Sequence, residues 1–221
     1  MKKAIVLLSG GLDSATTLFY AKSRGYKVHA LAFDYGQRHN KEIRQAVRIA
    51  RAARCDCKIV KIGLPWKGSA LLDKKIRLPQ NRNNIPPGIP VTYVPARNII
   101  FLSFAASYAE AIKARAIFIG ANAIDYSGYP DCRPRFYAAY QEALKQGLKT
   151  GVEGAPVRIY TPLIRKTKAQ IIRLGVRLKV PYELTWSCYK GAAKPCGACD
   201  SCVLRAKGFA QAGLTDPLFI H

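Results

Sequence analysis

The sequence predicts an α/β fold: a doubly wound parallel sheet followed by a small C-terminal helical region that carries four cysteines. Three observations point there. Short apolar runs at 4–8, 28–34, 58–62, 116–120 and 157–163 alternate with stretches of helical periodicity. A glycine turn, Ser9-Gly10-Gly11, stands where the first run meets the first helix. Four thiols crowd near the C-terminus at Cys188, Cys196, Cys199 and Cys202. The expected division is 1–180 for the α/β unit and 181–221 for the cysteine region, packed on the same unit.

Ala4 to Leu8 has the length and β-branching of a buried strand, and Ala15 to Ala21 continues at helical spacing from Ser14. Between them, Gly10 and Gly11 let the backbone turn sharply and approach a ligand closely. The helix that follows offers unpaired N–H groups and a partial positive charge, a natural phosphate site. Ser9 and Ser14 add hydroxyl donors. The competing explanation is an ordinary capped turn. Position favours the phosphate site, because nucleotides sit at the first crossover of such chains. The loop is neither a Walker A motif nor GxGxxG.

Lys27 to Asp34 reads as the second strand, and its end would bring Phe33, Asp34 and Tyr35 to the same crevice. His39 reads as a surface residue. Lys41 to Ala53 is an amphipathic helix with Ile43, Val47 and Ala50 on one face. Lys58 to Ile62 is the third strand, with Cys55 and Cys57 as packing or surface residues. Gly63 to Thr92 is proline-rich and long, and is expected to be a lid or gating loop. Ile99 to Lys113 is a buried helix. Arg97 stands at its start, where the helix dipole disfavours a cation, so an anionic ligand explains it better than chance exposure.

The fourth strand, Ala116 to Gly120, runs into a polar and aromatic loop, 121–134, at the end of the sheet where ligands bind. Tyr126, Tyr129 and Phe136 can sandwich a flat heterocycle. Asp125 and Asp131 can accept from the N–H edge of a guanine-like base, and Arg133 can hold a carboxylate. Cys132, with no partner base in the sequence, reads as structural. A helix over Phe136–Gln146, a flexible linker over 147–154 and a last strand over 157–163 follow. Lys168 opens the next helix and again puts a cation where the dipole wants an anion.

Cys188 and the overlapping CxxC units of Cys196, Cys199 and Cys202 have the spacing of a closed tetrahedral four-cysteine site, with structural Zn²⁺ expected ahead of an iron–sulfur cluster. The remaining helix, from Val203 to Ala212, and the apolar tail are expected to pack back on the domain or on a partner subunit.

Composition narrows the class further. No run approaches the length of a membrane helix, the chain leads straight from Met1-Lys2-Lys3 into its first strand, and reduced thiols fit a cytoplasmic protein. The net charge of +23 has two explanations, a nucleic-acid surface or a solvated basic coat. The basic residues form no long block, which favours the coat. With few acidic residues present, the placement of Asp13, Asp34, Asp125, Asp131 and Asp200 inside glycine, aromatic or cysteine motifs points to specific work there.

SGGLDS resembles the pyrophosphate loop of the ATP pyrophosphatase (PP-loop) superfamily. With FDYGQRH, VPARN, GANAIDYSGYPDCRPRF, TPL with TK, and TWSCY…PCGACDSC in order, the whole chain resembles the 7-cyano-7-deazaguanine synthase family. The resemblance implies an adenine nucleotide alpha hydrolase-like fold, 7-carboxy-7-deazaguanine, ammonia and ATP as substrates, Mg²⁺ with the ATP, one structural Zn²⁺ per subunit and a homodimer. The pathway implied is that of queuosine or archaeosine precursors. Ser9, Gly10, Gly11, Leu12, Asp13 and Ser14 would hold the pyrophosphate, with Phe33, Tyr35 and Gly120 at the adenylate. Arg97, Lys168 and Asp131 would carry the catalysis. Asp125, Tyr126, Asp131 and Arg133 would bind the deazapurine. Two other classes compete: a PP-loop enzyme acting on tRNA directly, and a non-enzymatic zinc-ribbon binder of nucleic acid. The short chain argues against the first, so direct tRNA contact is not expected. The intact glycine loop argues against the second.

Overall fold

The computed structural model describes residues 1–80, 88–124 and 128–219. Its strands are β1 (Lys3–Leu7), β2 (Lys27–Asp34), β3 (Asp56–Lys61), β4 (Ala116–Phe118) and β5 (Arg158–Tyr160). They form one parallel sheet in the order β3-β2-β1-β4-β5. The helices are α1 (Leu12–Ser23), α2 (Lys41–Ala52), α3 (Arg97–Ala111), α4 (Pro134–Gly147), α5 (Lys149–Val152), α6 (Lys168–Arg177) and α7 (Asp200–Ala212).

β1 shows why the sheet is covered on both faces. Ala4 and Val6 join an apolar cluster with Leu18 of α1, Ile49 of α2 and Ile171 of α6. Ile5 and Leu7 point the other way, into a cluster with Leu102 of α3 and Leu144 of α4. Alternate side chains of a strand face opposite sides, so a continuous apolar run specifies a strand buried on both faces. β1 also has β2 on one side and β4 on the other. The chain order reverses there, and this opens a crevice at the carboxyl ends of the central strands.

Several expectations shift in detail. β4 and β5 each span three residues, shorter than the apolar runs that announce them. The buried face of α2 is Ala46, Ile49 and Ala50, with Ile43 and Val47 only half-buried. The segment expected to be a flexible linker contains α5, where the Thr150 N–H donates to Glu110 Oε1 at 2.9 Å. In the long loop, the Arg38 guanidinium donates to the carbonyls of Ala70, Asp73 and Ile76, so this half is tied down. The remainder of the expected lid includes 81–87, outside the described residues. The tail folds back: Arg205 on α7 holds Asp216 through a buried bidentate ion pair of 2.6 and 2.8 Å. Among the described residues, no helix is long and apolar enough to cross a membrane.

Candidate active site and metal centre

A cavity of about 270 Å³ occupies the crevice at the carboxyl ends of the strands. The loop after β1 forms one end. Ser14 Oγ accepts from Ser9 N (3.2 Å), lies 3.0 Å from Ser9 Oγ, and donates to Gly11 O (3.0 Å). This network fixes the loop without closing the helix. The N-cap of α1 is Gly11, and no side chain caps it. The N–H groups of Leu12, Asp13 and Ser14 therefore lack an intrahelical acceptor, and all three residues line the cavity, as an anion site requires. The capped-turn explanation does not fit this geometry.

Two glycines make the packing possible. Gly10 has φ of +88°, and a Cβ there would stand 2.1 Å from the Glu42 carbonyl. A Cβ at Gly120 would stand 3.0 Å from the Asp13 carbonyl group and from Ser14 N. The first turn of α2 and the end of β4 thus close on the glycine loop from two sides.

Lys168 reaches this end from the first turn of α6. Its Nζ donates to both carboxylate oxygens of Asp13 at 2.8 Å. A capping box of Thr167 and Gln170 fixes the start of that helix. Phe33 stacks on Phe101 with centroids 3.9 Å apart and rings 3° from parallel, and Tyr35 meets the same ring edge-on.

Arg97 also lines the cavity, and its Nη1 donates to Tyr35 Oη at 3.5 Å. Burial works against its charge, but Tyr35, Tyr129 and Asp131 outweigh that and hold its pKa above the usual arginine range. Glu42, on the first turn of α2, also lines the cavity. Burial pushes its carboxyl up to about 7, with Arg97 opposing the rise and the Cys188 thiol adding to it.

The structure places the remaining candidates differently. Asp131 is buried, and its Oδ2 accepts from Asn98 N at 3.1 Å. The helix α3 begins after Ala96, a left-handed residue with no side-chain cap. Asp131 supplies that missing cap from across the fold and does not line the cavity. Burial raises its pKa despite the Asn98 bond and Arg97. Arg133 departs from its expected place: it is exposed at the N-cap of α4 and off the cavity. Asp125 and Tyr126 lie outside the described residues. Cys132 is buried, and desolvation pushes its thiol up to about 11, so it is a poor nucleophile.

Three residues at the site escaped the sequence reading. Glu42 is one. Trp186 is the second: it is fully buried, its backbone N–H donates to Gly10 O (2.9 Å), and its ring lies 3.6 Å beneath Lys41 Nζ. His39 is the third and is a correction. It lines the cavity, with Nε2 3.0 Å from Cys188 O, instead of sitting on the surface. The strings FDYGQRH and TWSCY were signals, but nothing in them shows that they meet.

Beside the cavity, the Sγ atoms of Cys188, Cys196, Cys199 and Cys202 all lie within 4.8 Å of one another. A tetrahedral metal with thiolate bonds of about 2.3 Å fits inside such a set. Backbone N–H groups of Lys190 and Cys196 aim at Cys188 Sγ (3.4 and 3.3 Å), and that of Cys199 at Cys196 Sγ (3.4 Å). These donors stabilise thiolates and orient them as ligands. The four-cysteine set can therefore hold a metal ion.

A family model described as "Queuosine biosynthesis protein QueC" matches residues 3–213. The chain belongs to this family. It is 57% identical over 218 residues to the 7-cyano-7-deazaguanine synthase of Thermoplasma acidophilum, covering 98% of this chain and 91% of that one. It is 55% identical over 219 residues to the synthase of Acetivibrio thermocellus, covering 99% and 97%. The chain is accordingly an enzyme of the 7-cyano-7-deazaguanine synthase family. Among solved structures, it is similar in fold to an NMN synthetase from Francisella tularensis, with a TM-score of 0.50, 16% identity and coverage of 97% and 73%. It is similar also to a 4-thiouridine synthetase solved with RNA and bound ATP, with a TM-score of 0.51, 19% identity and coverage of 96% and 50%. Both likenesses concern the fold alone.

Proposed function

We propose that the chain converts 7-carboxy-7-deazaguanine, ammonia and ATP to 7-cyano-7-deazaguanine, and that the cavity houses all three. The observation that carries this reading is the convergence of the uncapped α1 N-terminus, Lys168 and Arg97 on one crevice. That arrangement suits a chain of phosphates at one end and a developing negative charge at the other. Ser9, Gly10, Gly11, Leu12, Asp13 and Ser14 hold the pyrophosphate in this reading, and Phe33, Tyr35 and Gly120 border the adenylate.

The substrate carboxylate attacks the α-phosphorus of ATP and pyrophosphate leaves. Ammonia then displaces AMP to give the amide. A second ATP activates the amide oxygen, and loss of AMP with the remaining N–H protons leaves the nitrile. Lys168 screens the leaving pyrophosphate, and Arg97 screens the charge that gathers on the acyl oxygen. Mg²⁺ with ATP supplies further neutralisation of the phosphates. Asp125 and Tyr126 are retained as partners of the heterocycle on the strength of their motif. Asp131 serves by holding α3, and with it Arg97, in place.

The four thiols take Zn²⁺, which closes the C-terminal region and leaves no open coordination position. Thiols kept reduced for a metal fit residence in the cytoplasm. Exposed Ile99 and Phe104 on α3 offer apolar surface for a homodimer, a state that light scattering reads directly. The product enters queuosine or archaeosine precursor synthesis.

The test is a turnover assay with Mg·ATP, ammonium and 7-carboxy-7-deazaguanine, read by mass spectrometry of the heterocycle and nucleotides. Nitrile with AMP is expected. AMP only when tRNA replaces the heterocycle would contradict the reading.

A further inference from the structure

We propose that Glu42 is the catalytic base that takes protons from nitrogen, first when ammonia attacks and again when the activated amide collapses to the nitrile. This rests on the synthase reading above and names a role that the reading leaves unfilled.

Both nitrogen steps must shed protons. In the first, the C–N bond forms, the C–O bond to AMP breaks with its electrons going to the phosphate, and one N–H proton leaves. In the second, the amide oxygen carries AMP, the C–O bond breaks, and two N–H protons leave in turn as the triple bond forms. A group in the cavity must receive these protons and pass them to solvent.

Two carboxylates line the cavity among the described residues, Asp13 and Glu42. Asp13 is committed, because Lys168 Nζ holds both of its oxygens at 2.8 Å. The Glu42 carboxylate makes no hydrogen bond or ion pair with any described residue. Its backbone is nevertheless fixed, since the Glu42 carbonyl packs on Gly10, where no side chain has room. Of the other candidate bases, Tyr35 Oη accepts from Arg97, and His39 donates from Nε2 to the Cys188 carbonyl while its basic Nδ1 is fully buried, away from the cavity surface. The charged or titratable groups that face Glu42 are Arg97 from α3, Tyr35 beyond β2 and the Cys188 thiol. Arg97 favours the charged form of the carboxylate through its nearby positive charge.

Glu42→Gln keeps the shape and removes the base, and the two half-reactions separate its effects. Pyrophosphate–ATP exchange driven by 7-carboxy-7-deazaguanine, without ammonium, reports adenylation alone. The expected result is exchange within about threefold of wild type, with nitrile formation from ammonium reduced about 100-fold, in line with removal of a general base. Conversion of the 7-carboxamide to nitrile should fall similarly, and formate should restore part of the rate in Glu42→Ala. Nitrile formation within threefold of wild type would overturn the inference. A parallel loss of exchange and nitrile would also overturn it, since Glu42 would then be a structural support. Failure of the wild-type enzyme to make nitrile would instead refute the synthase reading.

Discussion

The two ends of the cavity hold their charges in opposite ways. At the glycine-loop end, Asp13 and Lys168 neutralise each other before any substrate arrives. At the α2–α3 end, Glu42 and Arg97 face one cavity, and the arginine reaches Tyr35 only through a long 3.5 Å hydrogen bond. A paired end is stable as built and exchanges partners when phosphate enters. An end with unspent charge costs stability and is kept ready for the reacting atoms. On the function proposed above, phosphates belong to the first end and acyl and nitrogen chemistry to the second.

The largest effect expected on this comparison comes from the residue that joins the two ends. Gly10→Ala puts a Cβ onto the Glu42 carbonyl at a positive φ. It should destabilise the chain by about 3 kcal/mol or more, read by denaturant unfolding. Lys168→Met should follow. It strips Asp13 of its partner and phosphate of its cation, so exchange should fall about 100-fold. A loss confined to nitrile formation would break the assignment of the two ends.

The third expectation concerns pH. The Glu42 carboxyl rises from 4.5 to about 7 on folding. Between those values the folded state binds the extra proton, so stability falls as pH rises through that window. Glu42→Gln should remove this fall. Its melting temperature should match wild type below about pH 4.5 and exceed it at pH 8. Smallest is Asp131→Ala, which removes the acceptor from the uncapped α3. About 1 to 2 kcal/mol of stability should go, with turnover reduced through Arg97. A change in heterocycle KM without loss of stability would instead restore Asp131 to base recognition.

What the sequence revealed follows the same division. The glycine loop was legible because its parts lie in consecutive residues: Ser9 to Ser14 contain turn, hydroxyls and helix start together. The cysteine set was legible from spacing for the same reason. Glu42, His39 and Trp186 were not, because their meaning depends on α2 and residues 186–188 meeting at Gly10, and no local pattern encodes that contact. The contact of Asp131 with α3 was not legible, because a buried carboxylate that caps a distant helix looks, in sequence, like one that awaits a base. Arg133 shared a motif with true neighbours of the cavity yet turned outward at the start of α4. The helix α5 was missed because Gly147, Gly151 and Gly154 read as a linker, whereas Glu110 on α3 supplies the acceptor that steadies its first turn.

The most direct test of the division between the ends is a crystal structure with an ATP analogue whose α–β bridge is a methylene. The triphosphate should lie on the N–H groups of Leu12, Asp13 and Ser14, with Lys168 Nζ drawn from Asp13 toward phosphate and Glu42 free of phosphate contact. A triphosphate seated between Arg97 and Glu42, with the Asp13–Lys168 pair intact, would contradict the account.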